Sequence, residues 1–112
     1  MSEKVKKPWG YYITIWKEKL INIKIIYVAP GSRLSLQSHK FREEYWFLLE
    51  GNLICQIGEK EMKMKKGVCY FIPKRKKHRL TAKRKGGRIL EVSFGKFDEK
   101  DIIRYEDDYG RI

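Results

Sequence analysis

The chain has 112 residues and a mass of 13.5 kDa, of which 42% is hydrophobic and 13% aromatic. That allows one packed domain over residues 1–112 and excludes both a disordered tract and two independent cores. Lys and Arg outnumber Asp and Glu 26 to 14, a formal charge of +12, so the expected ligands are anionic.

No apolar run nears the ~20 residues of a membrane span. The opening MSEKVKKPWG lacks the apolar core of a signal peptide, so the expectation is a cytoplasmic protein with no membrane contact.

In chain order, "KPWG" (7–10) reads as an extended lead-in, with Trp9 plugging the core. Short segments rich in β-branched and aromatic residues follow: 11–16, 21–29, 33–39, 44–50, 53–58, 60–64, 69–73, 78–82 and 88–95. Turn signals separate them at Pro30-Gly31, Gly51-Asn52, Gly58-Glu59, Lys66-Gly67 and Gly86-Gly87. Strands at this spacing predict an all-β sandwich or small barrel. "INIKI", "RLSL" and "KEMKM" alternate, so one face of each is expected to be buried. Trp9, Tyr12, Trp16, Trp46 and Phe71 are expected in the core. After the last strand, Asp98 with Asp101 three residues on predicts one short C-terminal helical turn.

Cys55 and Cys69 lie in apolar segments and read as buried free thiols, although a disulfide between paired strands fits the sequence equally. The run KRKKHRLTAKRKGGR (74–88) has the composition of a nucleic-acid patch, but in so lysine-rich a chain it reads first as a solvated face. Nucleic acid is therefore not the expected partner.

The chain owns two histidines, His39 and His78. Side chains two apart on a strand share a face, so Gln37 and His39 aim at one point, and Glu44 opens the next strand. Two imidazoles, a carboxylate and an amide carbonyl suit one divalent metal ion: Zn foremost, with Mn, Fe, Co or Ni as alternatives. Glu91 sits in "ILEVSF", where an unpaired buried carboxylate is costly, so it faces either a cavity or the solvent. Arg42, Arg33 and Arg79 are candidates for an anionic ligand, and ion pairing with the protein's own carboxylates fits them as well.

The spacing Gly31-x5-Gln37-x-His39-x4-Glu44-x6-Gly51 resembles the first motif of the cupin superfamily, with Gln37 in the place of its first histidine. Gly67-x5-Pro73 with His78 five residues on resembles the second, although Arg75 and Ala82 stand where that motif has glycine and often asparagine. Five segments in order, KPWGYY, PGSRLSLQSHKFREEYW, YFIPKRKKHRL, ILEVSFG and EKDIIRYEDDYGR, are similar to the C-terminal cupin domain of type II phosphomannose isomerases. The family commonly reads QxHHHRxEHW where this chain has QSHKFREEYW, so Lys40, Phe41 and Tyr45 replace histidines.

The resemblance implies an all-β double-stranded β-helix and a metal held by Gln37, His39, Glu44 and His78. It implies an active-site role for Arg42, a phosphorylated sugar as ligand, and a homodimer. In bacteria the domain usually follows a mannose-1-phosphate guanylyltransferase domain, so the expectation is a free-standing version. Two functions follow: interconversion of mannose 6-phosphate and fructose 6-phosphate, with Arg42 and Glu91 as catalytic residues and Arg33 and Arg79 on the phosphate, or a non-catalytic cupin binding a sugar phosphate or nucleotide sugar beside a separate guanylyltransferase.

Overall fold

In the computed structural model, which describes residues 3–98 and 100–112, the chain forms nine antiparallel strands curled into a barrel of two walls. They are β1 (Lys4–Lys7), β2 (Gly10–Lys17), β3 (Ile21–Val28), β4 (Leu36–Ser38) and β5 (Arg42–Ile57), then β6 (Lys60–Lys63), β7 (Cys69–Ile72), β8 (His78–Gly95) and β9 (Ile103–Glu106). This is the double-stranded β-helix expected from the sequence.

Two long strands make the barrel. The first half of β5 pairs β7 and the second half of β8, and β8 continues into β3, β2 and β1. The second half of β5 pairs β6 and the first half of β8, which meets β4 and then β9. Each long strand therefore belongs to both walls. The sequence divides them at Gly51-Asn52 and Gly86-Gly87, but those glycines are corners rather than turns.

Gly51 and Gly87 are register partners at the crossing, flanked by bulges between Leu48 and Glu50 and between Gly51 and Leu53. A Cβ on Gly51, whose φ is +87°, would stand 2.6 Å from the Gly87 Cα and closer still to the Gly86 carbonyl oxygen. Only glycine lets the two backbones pass this closely.

The corner divides the interior by chemistry. Nearest to it, the inward rows are Val28 with Gly87, and Ile26 with Ile89 and Leu48. On the facing wall Leu53 pairs Ala82 and Cys55 pairs Leu80. Farther from the corner the inward residues turn polar: Lys24–Glu91–Trp46, then Asn22–Ser93–Glu44. One end of the barrel is thus a sealed apolar core, and the other a lined cavity.

Trp9 and Trp46 are buried as expected, but Trp16 and Phe71 face outward and are 55% and 42% exposed. A bulge between Thr14 and Trp16 resets the alternation of β2, and Phe71 stands opposite Tyr45 on the outer face. Cys55 is buried, which pushes its thiol up to about 11, whereas Cys69 is exposed and both are free. The helical turn expected from Asp98 runs through Glu99, which lies outside the described residues. Around it, Asp101 N–H donates to the Asp98 carbonyl and Lys100 N–H to the Asp98 carboxylate, and the chain then enters β9 rather than a helix. The basic run is split by the buried segment His78–Leu80, and Lys74–Lys77 and Lys83–Lys85 are solvated. No helix among the described residues is long and apolar enough to cross a membrane.

Gly51→Ala combines a left-handed φ with a backbone clash, so the expected loss of stability is about 3 kcal/mol or more. A urea midpoint within error of the parent would show that the corner tolerates a side chain.

Candidate metal centre

The polar end gathers residues from both walls. Glu44 is the third residue of β5, His78 the first of β8, and His39 follows β4 directly. All three are nearly inaccessible, at 2–3% exposure. One donor atom from each lies within 4.8 Å of the others, the arrangement a single metal ion requires. His78 Nε2 is 3.5 Å from Glu44 Oε1, and His39 Nε2 is 3.8 Å from Glu44 Oε2.

Both imidazoles are oriented through their other nitrogen. His39 Nδ1–H donates to the Asp101 carbonyl at 2.7 Å, and His78 Nδ1–H to the Lys76 carbonyl at 2.9 Å. Each Nε2 lone pair is then directed at the carboxylate, the tautomer a metal ligand needs. The loop carrying His39 is pinned in turn, because the Asp101 carboxylate accepts the Lys40 and Phe41 N–H groups at 2.9 Å each. Arg75 N–H donates to the His39 carbonyl at 2.6 Å from a backbone with φ of +69°, a left-handed position that suits the glycine of the cupin motif.

Gln37 stands directly opposite His78 in the β4–β8 pairing and lines the same cavity of about 260 Å³. Arg42 reaches in from the start of β5. Its Nε donates to Glu44 Oε2 at 3.2 Å and its Nη2 to His39 Nε2 at 3.1 Å, with the guanidinium over the Phe97 ring. Glu91 faces the cavity rather than solvent: its carboxylate accepts Trp46 Nε1–H and Ser93 Oγ–H, each at 3.2 Å. Burial first, and then the nearby Glu44, hold its carboxyl above the usual range.

The donor set fits a divalent cation. Glu44 Oε1 is buried with no hydrogen-bond partner among the described residues, and the Nε2 atoms of both imidazoles converge on the carboxylate. A buried carboxylate in that state is costly unless a cation shares its place.

Arg33 and Arg79 lie away from the cavity. Arg33 makes a two-bond pair with Asp108 at 2.7 and 2.8 Å on the surface. Arg79 is buried and holds the Leu34 carbonyl and Glu106. Both fasten the C-terminal segment to the barrel. The cations that do line the cavity are Arg42, Lys7, Lys24, Arg104 and Arg111. Sequence reasoning missed the last four: Lys24 faces inward with Asn22 and Ile26, whereas the alternation of "INIKI" points to burial of the isoleucine face, which turns outward.

A family model described as mannose-6-phosphate isomerase C-terminal matches residues 1–107. The chain belongs to this family. Curated relatives include the xanthan biosynthesis protein XanB of Xanthomonas campestris pv. campestris, 37% identical over 110 residues, covering 96% of this chain and 24% of that protein. The alginate biosynthesis protein AlgA of Pseudomonas aeruginosa is 37% identical over 109 residues, covering 96% and 23%. The mannose-1-phosphate guanylyltransferase ManC of Salmonella typhimurium is 32% identical over 117 residues, covering 100% and 24%. The chain thus spans about a quarter of the length of the curated relatives it matches.

Among solved structures, the Cnp3 cupin domain of Schizosaccharomyces pombe superposes with a TM-score of 0.70 at 13% identity, covering 76% of this chain and 64% of that one. Oxalate decarboxylase of Bacillus subtilis gives 0.81 at 16% identity, covering 93% and 30%. These likenesses establish the cupin fold.

Where the family's histidines are replaced, the new side chains point away from the site. Lys40 and Phe41 are exposed, and Tyr45 packs against Phe71 and Phe94 on the outer face. These departures leave Gln37, His39, Glu44 and His78 in place.

Burial first, and then the charges of Arg42 and His78, lower the His39 pKa from 6.5 to about 4. Between those values the unfolded chain binds a proton that the folded chain rejects. Stability of metal-free protein therefore falls as pH drops through this window, by roughly 3 kcal/mol at most. Urea midpoints of chelated protein between pH 7 and 4 should show this slope, and His39→Gln should flatten it. An unchanged slope in the variant would place the acid sensitivity elsewhere.

Proposed function

We propose that the chain is a metal-dependent isomerase interconverting mannose 6-phosphate and fructose 6-phosphate. His39, Glu44 and His78 hold the metal, Gln37 adds a fourth, neutral ligand, and zinc is the first candidate. The observation that carries this reading is the buried His39–Glu44–His78 set beside Glu91, in a cavity whose remaining charges are positive. The family model's description and the biosynthetic relatives point to the same sugar-phosphate chemistry.

The reaction moves a proton between C1 and C2 of the sugar and shifts the carbonyl the opposite way. A bound divalent cation supplies Lewis acidity, stabilising negative charge on the sugar oxygens as it develops. Glu91 carries the proton: its carboxyl faces the cavity, and a raised pKa makes it a stronger base than an exposed carboxylate. Trp46 and Ser93 fix its two oxygens. A metal held by His39 Nε2 would take the place of the 3.1 Å contact from Arg42 there, freeing that end of the guanidinium to bind the sugar.

The test is a coupled assay with mannose 6-phosphate on metal-analysed protein, repeated after chelation and after re-addition of Zn, Mn, Co or Ni. Turnover should vanish with chelator and return with metal. Glu91→Gln should lower kcat by about 10²–10⁴-fold with metal content unchanged. Stoichiometric metal without turnover would overturn the isomerase and leave a sugar-phosphate-binding cupin. Full metal content in His39→Ala and His78→Ala would overturn the ligand set.

A further inference from the structure

The proposed reaction needs a phosphate seat, and the two arginines expected there from sequence are committed to carboxylates elsewhere. A different row of residues crosses the cavity. In the antiparallel pairings Arg104 of β9 stands opposite Gln37 of β4, and Gln37 stands opposite His78 of β8. Directly opposed residues share a face, so Arg104, Gln37 and His78 form one line along the cavity wall. Two strand spacings of ~4.8 Å separate the ends of that line, about the span of a hexose ring with its C6 arm.

Three observations mark the Arg104 end as an anion site. Arg104 Nε is buried and has no hydrogen-bond partner among the described residues. Burial, and then the like charge of Arg111, act against its guanidinium charge, opposed by Asp107. Asp107 is itself engaged by Arg111, through bonds of 2.8 and 2.9 Å, and so balances one cation while facing two. Lys24 faces the same cavity from the other wall, over the Tyr12 and Phe97 rings. A half-buried wall with this surplus of positive charge suits a dianionic tetrahedral group, whose three oxygens accept several N–H bonds at once.

We propose that Arg104 and Arg111, with Lys24 across the cavity, seat the phosphate of the sugar. The inference rests on the metal-centred reading above and adds a direction to it. The sugar lies along the β8–β4–β9 row, with its reacting end at His78 and its phosphate at the C-terminal segment. Arg33 and Arg79 contribute indirectly, by holding that segment in place. The seat also explains why a tail made of one short strand and two turns is fastened to the barrel by two arginine–carboxylate pairs.

The experiment is calorimetric titration of the metal-loaded protein and of Arg104→Met with mannose 6-phosphate, mannose, mannuronate and inorganic phosphate, with metal content and melting midpoint measured on both. Arg104→Met should weaken mannose 6-phosphate and inorganic phosphate by at least 10-fold and leave mannose and metal unchanged, and Arg104→Lys should recover part of the loss. Equal affinity of parent and variant for mannose 6-phosphate would overturn the seat, even in an active isomerase. Mannuronate bound more tightly than mannose 6-phosphate would overturn phosphate as its ligand. Phosphate binding that depends on Arg104 in a protein without turnover would keep the seat and remove the isomerase, so the two readings fail separately.

Discussion

The polar end of this barrel is organised by the burial of one carboxylate. Glu44 lies at 2% exposure on a strand whose inward neighbours are Trp46 and Leu48. Its two oxygens meet two imidazole nitrogens and one guanidinium, and Oε1 has no hydrogen-bond donor among the described residues. Burying a carboxylate costs several kcal/mol, even after relaxation, unless a positive charge accompanies it. The placement of Arg42, the tautomers of His39 and His78, and the pinning of the His39 loop by Asp101 all serve that requirement. A divalent cation would meet it more fully than Arg42 alone, because it would engage both imidazole lone pairs together with the carboxylate.

The barrel supplies this site without sacrificing its core, because the corner at Gly51 and Gly87 falls in the middle of the long strands and the cavity lies at their ends. Near the corner, inward positions on β3, β5 and β8 are aliphatic and close-packed. Four residues along each strand the same inward face carries Lys24, Glu44 and Glu91. The apolar half holds the strands rigidly, so donor atoms from both walls can converge within a few ångströms. Shifting the register of β5 by one residue would turn Glu44, Trp46 and Leu48 outward together, dismantling core and site at once.

Much of this was legible in the sequence, and the reasons differ by element. Alternation located β3 and β6, because period two is visible in them, but in β3 the buried face is the one carrying Asn22, Lys24 and Ile26, not the isoleucine face that alternation marks as apolar. The cupin spacing located His39, Glu44 and His78, because a metal fixes how many residues may separate its ligands. The corner glycines were misread as turns: a glycine that lets two strands cross has the same local appearance as one that reverses the chain. β1 and β9 were missed because they are short edge strands with exposed lysines, arginines and glutamates, whose strand character comes from their partners. Trp16 and Phe71 were placed inside on hydrophobicity alone, which cannot distinguish a core face from an apolar outer face.

The arginines show most clearly what lies beyond one-dimensional reading. Nothing local to Arg33, Arg79, Arg104 or Arg111 in the sequence distinguishes a structural cation from one that faces the cavity. The distinction comes from how the tail's carboxylates are shared out in the folded chain. Asp108 is engaged by Arg33 and Glu106 by Arg79, pairs that fasten the tail against the barrel. Asp107 is left to face Arg111 and Arg104 together, so positive charge remains uncompensated on the side where β9 runs along the cavity. The C-terminal segment is thereby both a fastened wall and a source of charge. These roles depend on each other, because an unpaired arginine stays half-buried only where other pairs have already secured the strand that carries it.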